Sequence, residues 1–295
     1  MAALPALLPA PTPTELRRIT LRSRRLVTGD LLGQYRSAFR GTGLVYTDIR
    51  AYQPGDDVKH IHWKATARTG TVFVKSYEED RQLRVLLAVD TSASMRAPQS
   101  TEAFAKALEF ASLVGALTQR GNDQFGLIRF GESVEGYLPP KSGRKRSAMV
   151  LSQLLAPRPA SLATDLAGGL RHISTVLRKP SIIFVLSDFL CAPFKAELKT
   201  LASRHDVVLV QIQTPLELFD RLGLVLFADA ESGRRVLVDT SSSSVRRRWR
   251  QLADQKRAEV AELARQSGAE QIVVTDSASR PLVRLMKERA SRGIR

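Results

Sequence analysis

Hydrophobic and polar positions divide this chain near residue 80. Beyond that point, apolar runs alternate with stretches of helical periodicity. The first run, Val85 to Val89, has no polar interruption and stops abruptly at Asp90. A short unbroken run of this kind reads as a central strand of a parallel sheet, buried on both faces. Residues 101–120 place Phe104, Leu108, Ala111, Leu113 and Leu117 on a helical stripe, and Gly121-Asn122 ends it. Strands are predicted over 124–130 and 134–138, with helices over 146–155 and 166–177. A second buried run, 181–186, ends in Ser187-Asp188. A helix over 193–205, a strand over 207–212, a long amphipathic helix over 245–266 and a last strand over 271–274 complete the series. The alternation implies an α/β fold with a doubly wound, mostly parallel sheet flanked by helices.

The other segments are less regular. Residues 1–14 carry Pro5, Pro9, Pro11 and Pro13 among Ala and Leu, and read as a disordered arm rather than a signal peptide. Residues 15–80 form an N-terminal extension expected to pack on the sheet. It starts with a helix and an irregular segment over 15–40. It closes with a strand over 71–77 that leads almost directly into the Val85 run, which suggests a hairpin onto the sheet. His60 and His62 alternate beside Trp63. The other histidines, His172 and His205, lie far along the chain, so a polar face beside a packed tryptophan fits the pair better than a zinc site. Within a domain spanning 81–280, residues 216–240 read as a β-rich insertion around the Glu231-Ser-Gly turn. Residues 281–295 read as a basic C-terminal tail.

The candidate chemistry lies where the apolar runs end. Asp90, Ser92 and Ser94 occupy alternate positions past the first run, and Asp188 follows the second. Thr164 precedes the helix at 166. In open α/β sheets, ligands bind beyond the carboxyl ends of the strands, so the five residues share one edge in the predicted fold. Two carboxylates and three hydroxyls form a hard-oxygen set suited to Mg²⁺, Mn²⁺ or Ca²⁺. Each residue alone also fits a helix cap. The Thr164 hydroxyl, for example, can accept from the free N–H groups of the helix that follows. Taken together and in this order, they point to a metal-ion-dependent adhesion site.

Charge adds a class of partner. Lys and Arg number 45 against 29 Asp and Glu, a net +16. The basic residues fall in separate blocks, no zinc-finger or basic-zipper spacing accompanies them, and aromatic residues make up only 6%. A base-stacking platform is therefore unsupported, and no specific nucleic acid is expected. The blocks read first as solvated faces, and after that an acidic protein client or the anionic membrane surface suits the charge. No window approaches the roughly 18–20 apolar residues of a membrane span. The single cysteine, Cys191, excludes an internal disulfide. These features favour the cytoplasm. Two competing readings are a metal-dependent phosphoester hydrolase, with Asp90 and Asp188 holding a water-activating ion, and a basic polyanion binder. The first is weakened by a ligand set poor in carboxylates and without a placed general base.

The Asp-x-Ser-x-Ser turn, the downstream Thr and the downstream Asp resemble the von Willebrand factor A domain. The resemblance implies that Ser92, Ser94 and Thr164 coordinate a metal directly or through water, and that Asp90 and Asp188 hold coordinated waters. The stretch from Arg40 to Met95, with its Pro54-Gly-Asp-Asp turn, is similar to a bacterial family known as domain of unknown function 58. So are Thr214-Pro-Leu-Glu217 and Asp229-Ala-Glu-Ser-Gly233. Where relatives show Ile-Asp-Trp, this chain has Ile61-His62-Trp63. This likeness implies a non-enzymatic adaptor or chaperone-like role beside a MoxR-type AAA+ ATPase, in protein assembly, metal insertion or stress response.

Overall fold

Val85 to Val89 are fully buried, and the strand they form is the third in the chain and central in the main sheet. The computed structural model describes residues 13–39, 45–57, 59, 61–78, 82–96, 101–156, 164–213, 223–228 and 235–292. The first half runs α1 (Pro13–Leu26), α2 (Gly29–Ala38), β1 (Val45–Ala51), α3 (Trp63–Thr69), β2 (Phe73–Glu78), β3 (Arg84–Asp90), α4 (Ala93–Arg96), α5 (Thr101–Gly121), β4 (Gln124–Phe130) and β5 (Val134–Lys141). The second runs α6 (Arg146–Leu155), α7 (Leu166–Val176), β6 (Ile182–Ser187), α8 (Lys195–Ala202), β7 (Asp206–Ile212), β8 (Leu224–Ala228), β9 (Arg235–Asp239), α9 (Ser243–Ser267), β10 (Glu270–Val274) and α10 (Ser279–Arg292).

Six strands form the sheet, in the order β10-β7-β6-β3-β4-β5. Every pair is parallel except β4 with β5. From β3 the chain winds outward through β4 and β5. It then returns to β6, on the other side of β3, and winds outward again. The gap between β3 and β6 is therefore the topological switch point, where doubly wound sheets bind ligands. The period of two along β3 divides its side chains between two layers. Val85, Leu87 and Val89 join a core with α2, α5, α6 and α10, while Leu86 and Ala88 join one with α7, α8 and α9.

β4 and β5 meet at a position that admits no side chain. A Cβ on Gly126 would lie 2.7 Å from the Leu138 carbonyl oxygen and 2.8 Å from the Pro140 nitrogen. Both obstacles belong to the backbone and cannot swing aside. Gly126→Ala is expected to cost about 1–3 kcal/mol, the usual range for overpacking, read as a lower midpoint in denaturant unfolding.

Several expectations are corrected. The strand predicted over 71–77 exists as β2 but does not join the main sheet. It pairs antiparallel with β1 in a separate two-stranded sheet. The reason is that β3 already has β4 on one edge and β6 on the other. The irregular segment after the first helix is a second helix, α2, and Thr28 caps it by accepting from the Leu31 N–H at 3.3 Å. The basic tail predicted from residue 281 is largely α10. Leu282, Leu285 and Met286 recur at helical spacing and are buried, so Arg280, Arg284, Lys287 and Arg292 occupy its outer face. Trp63, expected to be packed, is 68% exposed. β8 and β9 form a separate antiparallel ribbon. The Pro-rich arm lies outside the described residues up to position 12, and α1 begins at Pro13. Among the described residues, no helix is long and apolar enough to cross a membrane.

Candidate metal centre

β3 delivers Asp90 to the switch point, and the chain then turns tightly. The Asp90 Oδ1 accepts from the Ser92 N–H at 2.9 Å, which fixes the turn and the carboxylate together. This brings the Ser92 and Ser94 hydroxyls to 3.1 Å from each other. β6 delivers the opposite wall. Ser187 donates from its hydroxyl to Asp90 Oδ2 at 2.6 Å, joining the two strand ends directly. Asp188 Oδ1 accepts from the Leu190 N–H at 2.9 Å, and Ser94 also donates to this carboxylate. Asp90, Ser92, Ser94 and Asp188 thus form one connected cluster. Asp90 and Ser92 are wholly buried within it.

The cluster is short of positive charge. Burial pushes the Asp90 carboxyl up to about 7, and the Asp188 charge pushes in the same direction, while hydrogen bonds from Ser187 and Ser92 pull it down. Burial also raises Asp188, against hydrogen bonds from Leu190 and Ser94 and the attraction of Lys256. Two neighbouring carboxylates withdrawn from water need a proton or a cation between them. A divalent ion would supply that charge.

Thr164 lies in the loop beside the end of β4. The N–H of Asp165 donates to the Gly131 carbonyl at 2.7 Å, tying this loop to the end of β4, whose Phe130 lies opposite Asp90. The cap of α7 is Asp165, which accepts from the Gly168 N–H at 2.7 Å, and not Thr164 as the helix-cap alternative had it. Relieved of that task, the Thr164 hydroxyl is buried without a hydrogen-bond partner. An unpaired buried hydroxyl costs about 1–3 kcal/mol, so it marks a place where a partner belongs. Together with the donor chemistry, this orphan oxygen fits a hard cation. Thr164→Val is expected to leave the cation-free fold as stable or slightly more stable. It should lower Mn²⁺ affinity about tenfold or more, the scale of losing one metal-site contact, measured by titration calorimetry.

Other contributors escaped the sequence reading. Ser187 links the strands, and its oxygen also accepts from the Phe189 N–H at 3.0 Å. Phe189 has φ of 59°, an uncommon conformation for a bulky residue. Its buried ring stacks on Phe194 at 5.8 Å, which holds the strained turn beneath Asp188. The Thr91 hydroxyl shares its proton between the Phe130 carbonyl and Glu135 Oε2, each at 3.0 Å. The Ser187-Asp188 pair at the end of a buried run was the available signal for the first of these; nothing local announced Glu135 or Lys256. His62, one of the two alternating histidines, caps α3 by accepting from the Ala65 N–H at 3.0 Å through Nδ1. His60 lies outside the described residues. Among the described residues, no three or more His, Cys, Asp or Glu side chains gather into a carboxylate- or imidazole-rich metal group.

The family model described as "Protein of unknown function DUF58" matches residues 48–259. The chain belongs to the DUF58 family. This DUF58 chain is 30% identical to the uncharacterized protein Rv1480 of Mycobacterium tuberculosis, over 86% of its own length and 81% of that protein. Among solved structures it is similar to the conserved hypothetical protein BatB from Bacteroides thetaiotaomicron. The TM-score there is 0.44 with 14% identity, over 72% of this chain and 98% of that one. It is also similar to a von Willebrand factor type A protein from Catenulispora acidiphila, with a TM-score of 0.37 and 12% identity, over 76% and 44% of the two chains. The DUF58 sheet itself is doubly wound, with its Asp-x-Ser-x-Ser turn at the switch point.

Proposed function

We propose that this DUF58 protein is a non-enzymatic, divalent-metal-dependent interaction module that grips a carboxylate of a protein partner. The observation that carries the reading is the unpartnered Thr164 hydroxyl at the edge where Asp90, Ser92, Ser94 and Asp188 are already joined. These oxygens are the residues that would hold the ion. A small hard cation such as Mg²⁺ keeps exchangeable waters when few carboxylates bind it, and a partner's carboxylate can replace one of them. Mn²⁺ and Ca²⁺ suit the same oxygens. Binding is favoured over hydrolysis because both aspartates are already engaged. Asp90 accepts from Ser92 and Ser187, and Asp188 from Leu190 and Ser94, which leaves neither poised as a general base.

The partner classes that fit are a MoxR-type AAA+ ATPase and an acidic protein client, within the cytoplasm. The net charge of +16 speeds encounter with an acidic surface and makes the association salt-sensitive. Assembly, metal insertion and stress response are the settings for such an adaptor. The test mixes the purified chain with a MoxR-type ATPase from the same organism, with nucleotide present, and follows complex formation by size-exclusion chromatography. A complex should form with Mg²⁺, disappear in EDTA and return when Mg²⁺ is restored. A complex indifferent to EDTA, or none at all, would refute the adaptor reading.

A further inference from the structure

The small β1–β2 sheet carries a feature that the metal centre does not use. Ile61 bridges Val74 in the antiparallel sense, and the His62 N–H donates to the Phe73 carbonyl at 2.8 Å. On the other side of β2, Ala51 pairs with Phe73, and the Tyr52 N–H donates to the Val72 carbonyl at 2.9 Å. Tyr52 thus lies beside Val72, and Trp63, the first residue of α3, follows directly on His62. All three are exposed, at 37%, 68% and 39%. Three large exposed apolar side chains on neighbouring segments of this small sheet are not explained by the core, and apolar patches on a surface mark contact sites.

The charge around these side chains is mostly positive: in the loop from Tyr52 to Lys59, Asp56 is paired with Arg50, and Asp57 accepts from the Lys59 N–H. Between Asp57 and Glu78 the sequence holds Lys59, Lys64, Arg68 and Lys75, and no acidic residue. Lys59, Lys64 and Arg68 are exposed, and the last two stand four residues apart on α3, on one face. We propose that Tyr52, Trp63 and Val72, with Lys59, Lys64 and Arg68 beside them, form a docking patch for an anionic lipid bilayer. Tryptophan and tyrosine pair an apolar body with a polar tip, which suits them to the headgroup level of a membrane. Lysine and arginine beside them are drawn to the negative surface potential. A second copy of this chain would bring like charges together. Single-stranded nucleic acid favours a run of aromatic platforms, and of these three side chains Val72 is aliphatic.

The test uses the full chain carrying Trp249→Phe, which leaves Trp63 as its one indole. EDTA is present throughout, so the result is independent of the metal centre and of the adaptor reading. Phosphatidylcholine vesicles with and without phosphatidylglycerol are the probe. With the anionic vesicles, the protein should pellet and Trp63 emission should shift to the blue. Both effects should fade at high salt, and pure phosphatidylcholine should give neither. The overall basic charge alone could draw the protein to anionic vesicles, so the variants decide the location. Lys64→Ala and Arg68→Ala should each weaken binding about fivefold, and Trp63→Ser about tenfold. These side chains are exposed, so the variants should keep the fold. Unshifted emission, absence from the pellet or variants that bind like their parent would each overturn the proposal. An emission change produced by oligodeoxythymidine and not by vesicles would overturn it in favour of nucleic acid.

Discussion

Asp90→Asn is expected to abolish divalent-cation binding while stabilising the cation-free protein above neutral pH. The amide keeps an oxygen for the Ser92 N–H, which holds the turn at 2.9 Å. It meets Ser187 through a hydroxyl that can accept as well as donate. What it removes is the negative charge that burial and Asp188 disfavour. In the native protein that cost pushes the Asp90 carboxyl up to about 7, against about 3.9 in an unfolded chain. The cation-free fold therefore holds a proton that the unfolded chain releases. Its contribution to stability is fully present below about pH 4 and is lost as pH rises through about 7. Thermal melts of the native protein without metal should fall over this range, whereas those of Asp90→Asn should fall much less. At pH 8 the variant should melt several °C higher, as about 2–4 °C accompanies each kcal/mol at this size. Mg²⁺ should rescue the native protein and leave the variant unmoved. Calorimetric titration giving equal Mg²⁺ affinities for the two would remove Asp90 from the site.

Arg289→Ala carries the second large effect. Its guanidinium grips Asp206 of β7 through two hydrogen bonds, 2.5 and 2.8 Å long, and reaches Glu270 of β10 at 3.2 Å. It also lies over the Phe39 ring, 4.7 Å from its centroid. One side chain thus fastens α10 to two strands and to the end of α2. The arginine is 11% exposed, but Asp206 and Glu270 are 40% and 35% exposed. The loss should therefore fall below the 3–5 kcal/mol typical of breaking a fully buried pair, at about 2–3 kcal/mol. Arg289→Lys should recover only part of it, because an ammonium cannot present the planar fork. Urea unfolding that gives Arg289→Ala a midpoint equal to the native one would show that α10 is held by its apolar face alone.

The sequence showed most about strands without freedom. Val85 to Val89 and the run ending at Leu186 are apolar throughout because both faces of the sheet are covered, so any polar residue there would lie unpaired. For the same reason Asp90 and Asp188 were conspicuous, standing where such runs stop. The readings that failed concerned elements whose surroundings decide their role. Whether β2 lies against β3 depends on β3's edges being filled by β4 and β6, strands that come later in the chain. α10 was hidden by its arginines: Leu282, Leu285 and Met286 are a narrow stripe in a helix otherwise suited to water. Thr164 and Asp165 are both good caps, and the sequence could not say which would be used. The structure gives that task to Asp165 and leaves the threonine oxygen over.

The packing of α2 against α10 also bears on how the chain is made. Tyr35 and Phe39 share a core with Leu282, Leu285 and Met286, which lie far along the chain from them. At about 5–20 residues per second on the ribosome, tens of seconds separate the two groups. Until α10 emerges, the nascent N-terminal helices lack one of the walls they are built to meet. This part of the core is completed only once α10 has been made, and folding during synthesis must keep those earlier apolar faces from finding other company.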